Sequence, residues 1–377
     1  MSPSPGLLFT IVSFLLVIGP LIFVHEMGHY LVGRWCGIHA DTFSIGFGRE
    51  IAGWTDRRGT RWKIGWLPLG GYVKFAGDMD AAGQPSDDWL SLPPEERART
   101  FQAKPVWQRF VVVAAGPATN FLFAILIFMG IFAAVGQQKS VPVVGDVTAG
   151  MPAEKAGIRA GDRILTIDGR PMESFEDIGR YVSIRPDQPM DVAVQRGDSS
   201  FRLMIRSVSH EISDDFNNKA RIGMFGIGSS QPIVQPVPLA ELPGLAVRQT
   251  WEITESIAVT LKQLLAGQRS VKELGGPLKV AQISGQRATL GWLSILSLMA
   301  LISINLGFIN LLPVPMLDGG HLLFYVIEGV RRQPLKPQSQ EWAFKAGLAA
   351  LLMLMLMVTL NDLASFGLWS RLGGLIG

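Results

Sequence analysis

The sequence predicts a mostly α membrane protein with about four transmembrane helices, a membrane-associated β-loop region and one extracytoplasmic α+β domain. Hydrophobic residues make up 48% of the 377 residues and charged residues only 17%, which is typical of a membrane protein with an additional soluble domain. Four apolar stretches approach the roughly 20 residues that cross a bilayer. Between the second and third stretches, residues 137–289 are polar enough to fold outside the membrane.

The four apolar stretches divide the chain. They are predicted to be helices at residues 6–33, 106–135, 291–312 and 342–360. The first lacks an early positive charge and a small-residue cleavage site, which predicts a retained helix rather than a signal peptide. The predicted segments are 1–34 (first helix), 35–105 (cytoplasmic-side β-loop region and polar loop), 106–136 (second helix), 137–210 (soluble domain), 211–288 (linker and amphipathic membrane-surface helices), 289–330 (third helix) and 331–377 (fourth helix and C-terminus).

Lysine and arginine residues predict the orientation of these helices. The first five residues have neither, whereas the connection after the first helix carries Arg34, Arg57 and Arg58, and the connection before the fourth carries Arg331 and Arg332. With four crossings both connections lie on one side, which the positive-inside rule places in the cytoplasm. The soluble domain is then extracytoplasmic.

A run of polar residues interrupts the first apolar stretch. His25 and His29 in Val24-His25-Glu26-Met27-Gly28-His29 are four residues apart, so a helix projects both imidazoles from one face. This spacing suits one Zn²⁺ ion, and Glu26 lies beside it to act as the base on a water molecule. A buried core histidine would explain one such residue but not three, because charged and imidazole groups are costly in a membrane helix.

A second polar group follows the third apolar stretch. Asp318 lies in Pro313-Val-Pro315-Met-Leu-Asp318-Gly-Gly-His321, where two prolines end the helix and two glycines are expected to loosen the chain. Two histidines need a third ligand if one position is to stay open for water, and Asp318 fits that need. His321 is a rival ligand, although a supporting role beside the site is favoured.

Several other residues are candidate substrate contacts. Asn305 and Asn310 could hold a substrate backbone, or could form hydrogen bonds between helices. Residues 42–75 predict three short strands, at 43–48, 61–66 and 70–75, and residues 78–99 a polar loop. An exposed strand containing Gly70, Gly71, Tyr72 and Val73 could pair with an extended substrate, or the sheet could merely cap the helices.

Two function classes are excluded or weakened by composition. The net charge of +3 is too small to indicate nucleic-acid binding. Cys36 is the only cysteine, so the chain can form neither an internal disulfide nor a thiolate zinc cluster.

Residues 245–265 predict an amphipathic helix rather than a spanning one.

Two motifs in the soluble domain resemble those of a PDZ domain of the bacterial protease type. They are Met151-Pro-Ala-Glu-Lys-Ala-Gly-Ile and Gly161-Asp-Arg-Ile-Leu-Thr-Ile-Asp-Gly. The resemblance implies that residues 175–182 form the helix beside a peptide groove. PDZ domains add a peptide as a strand at a sheet edge, so the domain is expected to contact substrate peptides or to exclude bulky substrates.

Taken with the PDZ motifs, the paired polar motifs resemble the site-two protease family of intramembrane zinc metalloproteases, in its bacterial regulator-of-sigma-E branch. The resemblance implies the ligands His25, His29 and Asp318 with Glu26 as base. Ala115-Gly-Pro-Ala-Thr-Asn120 matches a further family motif, implying that Asn120 lies near the substrate. The chain departs from the best-known members in having one PDZ unit rather than two.

That family implies a multi-pass protein of the bacterial cytoplasmic (inner) membrane that acts in stress responses. Its substrates would be single-pass membrane proteins already shortened by another protease, such as anti-sigma factors or remnant signal peptides. One alternative is a membrane PDZ adaptor with an inactive metal site, against which the intact Glu26 argues. The other is a membrane-anchored zinc protease of soluble chains, which would use a Glu ligand on a later helix.

Overall fold

A computed structural model of the protein describes residues 5–77, 92–213, 219–230, 233–267, 275–333 and 337–365. Residues 78–91 of the predicted polar loop lie outside these ranges. The chain forms two compact units, one of Met1–Ile131 with Pro243–Gly377 and the other of Phe132–Leu242. The second unit is therefore an insertion between two parts of the first.

The first unit contains eight helices and two long strands within the described residues. In chain order with the second unit, the elements are α1 (Leu7–Trp35), β1 (Ala40–Thr55), β2 (Arg61–Phe75), α2 (Pro94–Arg97), α3 (Val106–Val135), β3 (Gln137–Lys139), β4 (Val144–Val147), α4 (Pro152–Lys155), β5 (Arg163–Ile167), β6 (Arg170–Pro171), α5 (Phe175–Ser183), β7 (Pro189–Arg196), β8 (Ser199–Arg206), β9 (Val208–Ser213), β10 (Lys219–Met224), β11 (Ile227–Ser229), β12 (Ile233–Gln235), α6 (Leu242–Leu265), α7 (Pro277–Thr289), α8 (Trp292–Asn310), α9 (Asp318–Arg331) and α10 (Pro337–Ser365).

Four helices are long and apolar enough to cross a membrane among the residues that the structure describes. They are α1, α3, α8 and, over residues 340–363, α10. Their outward faces are covered with exposed leucine, methionine and phenylalanine side chains, which in water would be unfavourable and in lipid are not. The predicted number of spanning helices is confirmed, and α6 is not among them.

The predicted three-stranded region is instead built from two long strands. β2 continues without a break from Arg61 to Phe75, so the second and third predicted strands belong to one element. Phe43 of β1 pairs with Val73 and also with Trp62, which places the first part of β1 between the two ends of β2. β1 pairs on both of its edges with different parts of β2. A local sequence pattern does not reveal such a pairing, because the two partners are far apart along the chain.

An aromatic core holds this hairpin against the helices. Tyr30 of α1, Phe43 and Phe75 of the hairpin, Val112 of α3 and Tyr325 of α9 are all buried in one cluster. The Phe43 and Trp62 rings stack with their centroids 4.4 Å apart. The cluster therefore fixes β2 beside the polar residues of α1.

The second unit is the α+β domain. A four-stranded sheet in the order β6-β5-β7-β8 encloses a core with α5. Helix α5 begins with a capping box between Ser174 and Asp177 and covers the residues predicted for the groove helix.

This domain is longer than the predicted 137–210. β11 pairs with β4, and Phe225 is buried in the same core as Val144. The predicted boundary was too early because β11 pairs with β4, which comes much earlier in the chain, and no local pattern indicates that pairing. The unit extends to Leu242.

Candidate active site

Helix α1 positions three polar side chains near its C-terminal end. His25 and Glu26 are 8% and 7% exposed, and His29 is half-buried. The four-residue spacing puts the two imidazoles one above the other, with ring centroids 4.9 Å apart. The three side chains face the interior of the unit rather than its outer surface.

Asp318 is the first residue of α9, directly after the loop that follows α8. The sequence predicted that Gly319 and Gly320 would loosen the chain. The structure shows instead that they allow close packing. A Cβ atom at Gly319 would lie 2.1 Å from the Leu312 carbonyl oxygen, and one at Gly320 would lie 2.5 Å from that of Val314. The glycines thus let the first turn of α9 fold tightly onto the loop.

The donor atoms of His25, His29 and Asp318 converge on one point. His25 Nε2 lies 3.2 Å from Asp318 Oδ2 and 3.3 Å from His29 Nε2, and His29 Nε2 lies 3.6 Å from Asp318 Oδ2. Zinc–ligand bonds of 2.0–2.1 Å in a tetrahedral site place ligand atoms about 3.4 Å apart. The three measured separations match that value.

Two further observations agree with a metal site. Asp318 Oδ2 is buried yet has no hydrogen-bond partner within the described residues, so its lone pairs are free to bind a cation. Histidine, cysteine, aspartate and glutamate side chains can bind a metal ion. Among the described residues, one group of three or more of them lies close enough to share an ion. It consists of His25, His29 and Asp318, whose ligand atoms lie within 4.8 Å of one another. The donor set fits zinc with one position left for water or substrate.

Helix α3 packs behind the two histidines. His29 Nδ1 lies 2.9 Å from the Val112 carbonyl oxygen, to which it donates, and His25 Nδ1 lies 3.0 Å from the side-chain amide of Asn120. Gly116 permits this approach, because a Cβ atom there would lie 2.2 Å from His29 Nε2. The motif around Asn120 therefore supports the histidines.

Asn120 does not occupy the substrate-binding position that the family resemblance implied. Its side chain is fully buried behind His25 and is absent from the residues that line the cavity in front of the site. Its amide lies against His25 and does not face the cavity.

A cavity of about 530 Å³ opens in front of the three donor atoms. Glu26, the predicted contacts on β2 and Asn310 of α8 also line the cavity. The lining residues from the predicted site are His25, Glu26, His29, Gly70, Gly71, Tyr72, Val73, Asn310 and Asp318. Gly71 lies so near Glu26 that a Cβ atom there would be 2.8 Å from Glu26 Cγ.

Two other sequence candidates separate in the structure. Asn305 is exposed on α8 and does not line the cavity, because five residues of helix turn it well away from Asn310. His321 lines the cavity but lies outside the group of three donor atoms, with its ring 4.9 Å from that of Phe344.

Sequence reasoning missed several cavity residues. Phe47 of β1, Phe101 of the loop before α3 and Tyr325 of α9 have no local motif that would have marked them. The Val112 carbonyl could not be found from sequence either, since any residue has one. The aromatic residues make the cavity mainly apolar, which suits a substrate segment from a membrane helix.

Comparison with known proteins identifies the family. The sequence model of Peptidase family M50 matches residues 13–354, which is most of the chain. This chain belongs to peptidase family M50. The site-two protease family that the motifs indicated is thereby confirmed.

Relatives of this M50 peptidase are named as metalloproteases. A Rhizobium meliloti protein named as a zinc metalloprotease is 46% identical over 363 residues, covering 95% of this chain and 97% of its own. Metalloprotease MmpA of Caulobacter vibrioides is 37% identical over 395 residues, covering 98% and 99%. The solved PDZ domain of a Listeria monocytogenes SdrC-like protein is 20% identical, covers 25% of this chain and 90% of its own, and has a TM-score of 0.20.

The M50 peptidase is therefore a zinc metalloprotease. The adaptor alternative, with an inactive metal site, loses its support, because the donor atoms and Glu26 are assembled in one cavity. The other alternative required a Glu ligand, whereas Asp318 lies beside the histidines.

Proposed function

We propose that this enzyme hydrolyses a peptide bond within the transmembrane segment of single-pass membrane proteins, as in regulated intramembrane proteolysis. The observation that carries the proposal is the location of the reactive groups. His25, Glu26 and His29 belong to α1, one of the helices able to cross a membrane. Groups of this kind in a membrane helix are expected to serve a site rather than to stabilise the fold.

Glu26 is the proposed general base. His25, His29 and Asp318 would hold the zinc, which when bound would lower the pKa of a water molecule and polarise the scissile carbonyl. Glu26 shares the cavity with these three residues, takes a proton from the attacking water and returns it to the leaving amide nitrogen. The apolar lining restricts bulk water, which strengthens these electrostatic effects.

The proposed substrate contacts lie on β2 and α8. A helical substrate hides its carbonyls, so the segment must unwind before it can react. Gly71–Val73 pair with β1 along one edge, and among the described residues no strand pairs with their other edge. An unwound substrate can add there as a strand, with Gly70 and Tyr72 beside it and Asn310 holding a carbonyl.

Comparing membrane peptides in cells tests this function. Mass spectrometry of cells expressing the natural enzyme or Glu26→Gln should show new chain ends inside apolar spans only with the natural enzyme. The affected proteins should be single-pass, such as anti-sigma factors or remnant signal peptides. Enzyme-dependent ends found only in water-soluble chains would contradict intramembrane cleavage.

The proposed location is the bacterial inner membrane, with the PDZ unit outside the cytoplasm. Reporter fusions after Arg57 and after Arg332 should be cytoplasmic, and a fusion after Asp168 should be exported. The physical reason is the cluster of lysine and arginine residues in the first and last connections. A cytoplasmic reporter at Asp168 would contradict the four-crossing topology.

The PDZ unit is proposed to filter substrates. β3 and β12 pair with each other, with Lys139 opposite Ile233, so the ends of the unit meet. Replacing residues 140–232 by Asn-Gly should close a two-residue hairpin and leave the spanning helices undisturbed. With this deletion, full-length substrates that normally resist cleavage should be processed.

A capture role gives the opposite result for the same deletion. If the groove holds the substrate, cleavage of a shortened substrate should fall when the unit is removed. Both full-length and shortened substrates should therefore be assayed, with Glu26→Gln in the deleted background as the control for background proteolysis. Unchanged rates for both substrates would mean that the unit is only a spacer.

A further inference from the structure

Asn120 is a fully buried polar side chain that touches a proposed metal ligand. Its amide nitrogen lies 3.0 Å from His25 Nδ1, and its relative exposure is 0%. Its amide oxygen Oδ1 has no hydrogen-bond partner within the described residues. A buried oxygen without a partner is costly, so the amide calls for a physical explanation.

The orientation of His25 supplies one. Its Nε2 points to Asp318 and His29, so Nε2 must offer its lone pair to a metal and the ring proton must sit on Nδ1. An Nδ1–H group needs an acceptor, and an amide nitrogen cannot accept. The two ends of an asparagine amide are nearly equal in size, so a half-turn brings Oδ1 against Nδ1–H without repacking.

His29 shows what this contact achieves. Its Nδ1 donates to the main-chain oxygen of Val112, which holds the ring and its tautomer without any side chain. His25 has a side-chain partner in the same place. Ser303 Oγ of α8 donates to the main-chain oxygen of Asn120 over 2.8 Å and takes no part in the contact between the side-chain amide and His25.

We propose that Asn120 is a positioning residue whose amide oxygen accepts a hydrogen bond from His25 Nδ1–H. The bond fixes the tautomer and ring plane of His25, so that Nε2 faces the metal before it binds. This inference rests on the proposed function, in which His25, His29 and Asp318 hold the zinc. Asn120 acts through His25 and does not touch the substrate.

Zinc affinity of the purified full-length protein, measured by competition with a chelator, tests the proposal. Asn120→Leu keeps the branching of the side chain but removes the acceptor, and should weaken zinc binding about 10- to 100-fold. Asn120→Asp keeps an acceptor oxygen and loses the NH₂ group, so its zinc affinity should stay near that of the natural protein or exceed it. A role limited to packing would not give this rescue.

Further variants make each outcome decisive. Ser303→Ala removes a neighbouring buried hydrogen bond without touching His25 and should leave zinc affinity unchanged. Asn120→Ala replaces Asn120→Leu if the leucine variant does not fold. Natural affinity in the acceptor-free variant, or an Asp variant as weak as that one, would overturn the proposal.

The His25→Ala variant distinguishes the two levels of inference. Unchanged zinc affinity in His25→Ala would overturn the ligand assignment and this proposal together. A loss in His25→Ala without a loss in Asn120→Leu would overturn only the role of Asn120.

Discussion

Replacing Glu26 by glutamine is expected to lower the rate of peptide hydrolysis by about 10²- to 10⁴-fold, the usual contribution of a general base. Glutamine has the same shape but cannot take a proton from water. Glu26 lines the cavity beside the three donor atoms without belonging to their group, so zinc content and fold should not change. The loss should appear in the chemical step rather than in substrate binding.

Purified enzyme and a peptide representing an apolar substrate span give the measurement. Zinc content and thermal unfolding are recorded on the same samples, so that loss of metal or fold is not mistaken for loss of the base. Glu252→Gln, at an exposed position on α6, is the matched control and should retain full activity. A rate near that of the natural enzyme in Glu26→Gln would show that another group takes the proton.

Removing the proposed ligands should abolish zinc binding. The natural protein should contain about one zinc per chain, because the three proposed ligands suit a single tetrahedral site with one open position. His25→Ala combined with His29→Ala should contain none, since Asp318 alone cannot hold the ion. Asp318→Ala should also lose most of its zinc, because its Oδ2 lies within 3.6 Å of both imidazole nitrogens.

Metal analysis after dialysis against a weak chelator provides the readout, and His321→Ala provides the control. His321 lines the same cavity and lies one helical turn beyond Asp318, but its ring packs against Phe344. It should therefore retain about one zinc per chain. If His321→Ala lost zinc as completely as Asp318→Ala, the choice of third ligand would be wrong.

The sequence alone determined the features that depend on neighbours along the chain. Apolar length predicted the four spanning helices, and the interval between His25 and His29 predicted a shared helical face. Asp318 was predicted from its chemistry, as the carboxylate available in an apolar setting. These inferences need only helix periodicity and the cost of burying charge.

The tertiary structure decided what depends on packing between distant segments. Asn120, Asn305 and Asn310 are alike as residues, yet one supports His25, one is exposed and one faces the cavity. Only the close approach of α3 to α1 and the rotation of α8 distinguish them. A side chain's role here depends on which helix face meets a neighbour, and no local pattern records that contact.

Strand pairing was likewise decided by the fold. The two ends of β2 are joined through β1, and β11 completes the soluble domain by pairing with β4. A strand's own alternation indicates which side is buried but not which partner supplies the hydrogen bonds. The sequence therefore determined the types of the reactive residues and the number of spanning helices, while long-range packing decided how those residues are held and which side chains line the cavity.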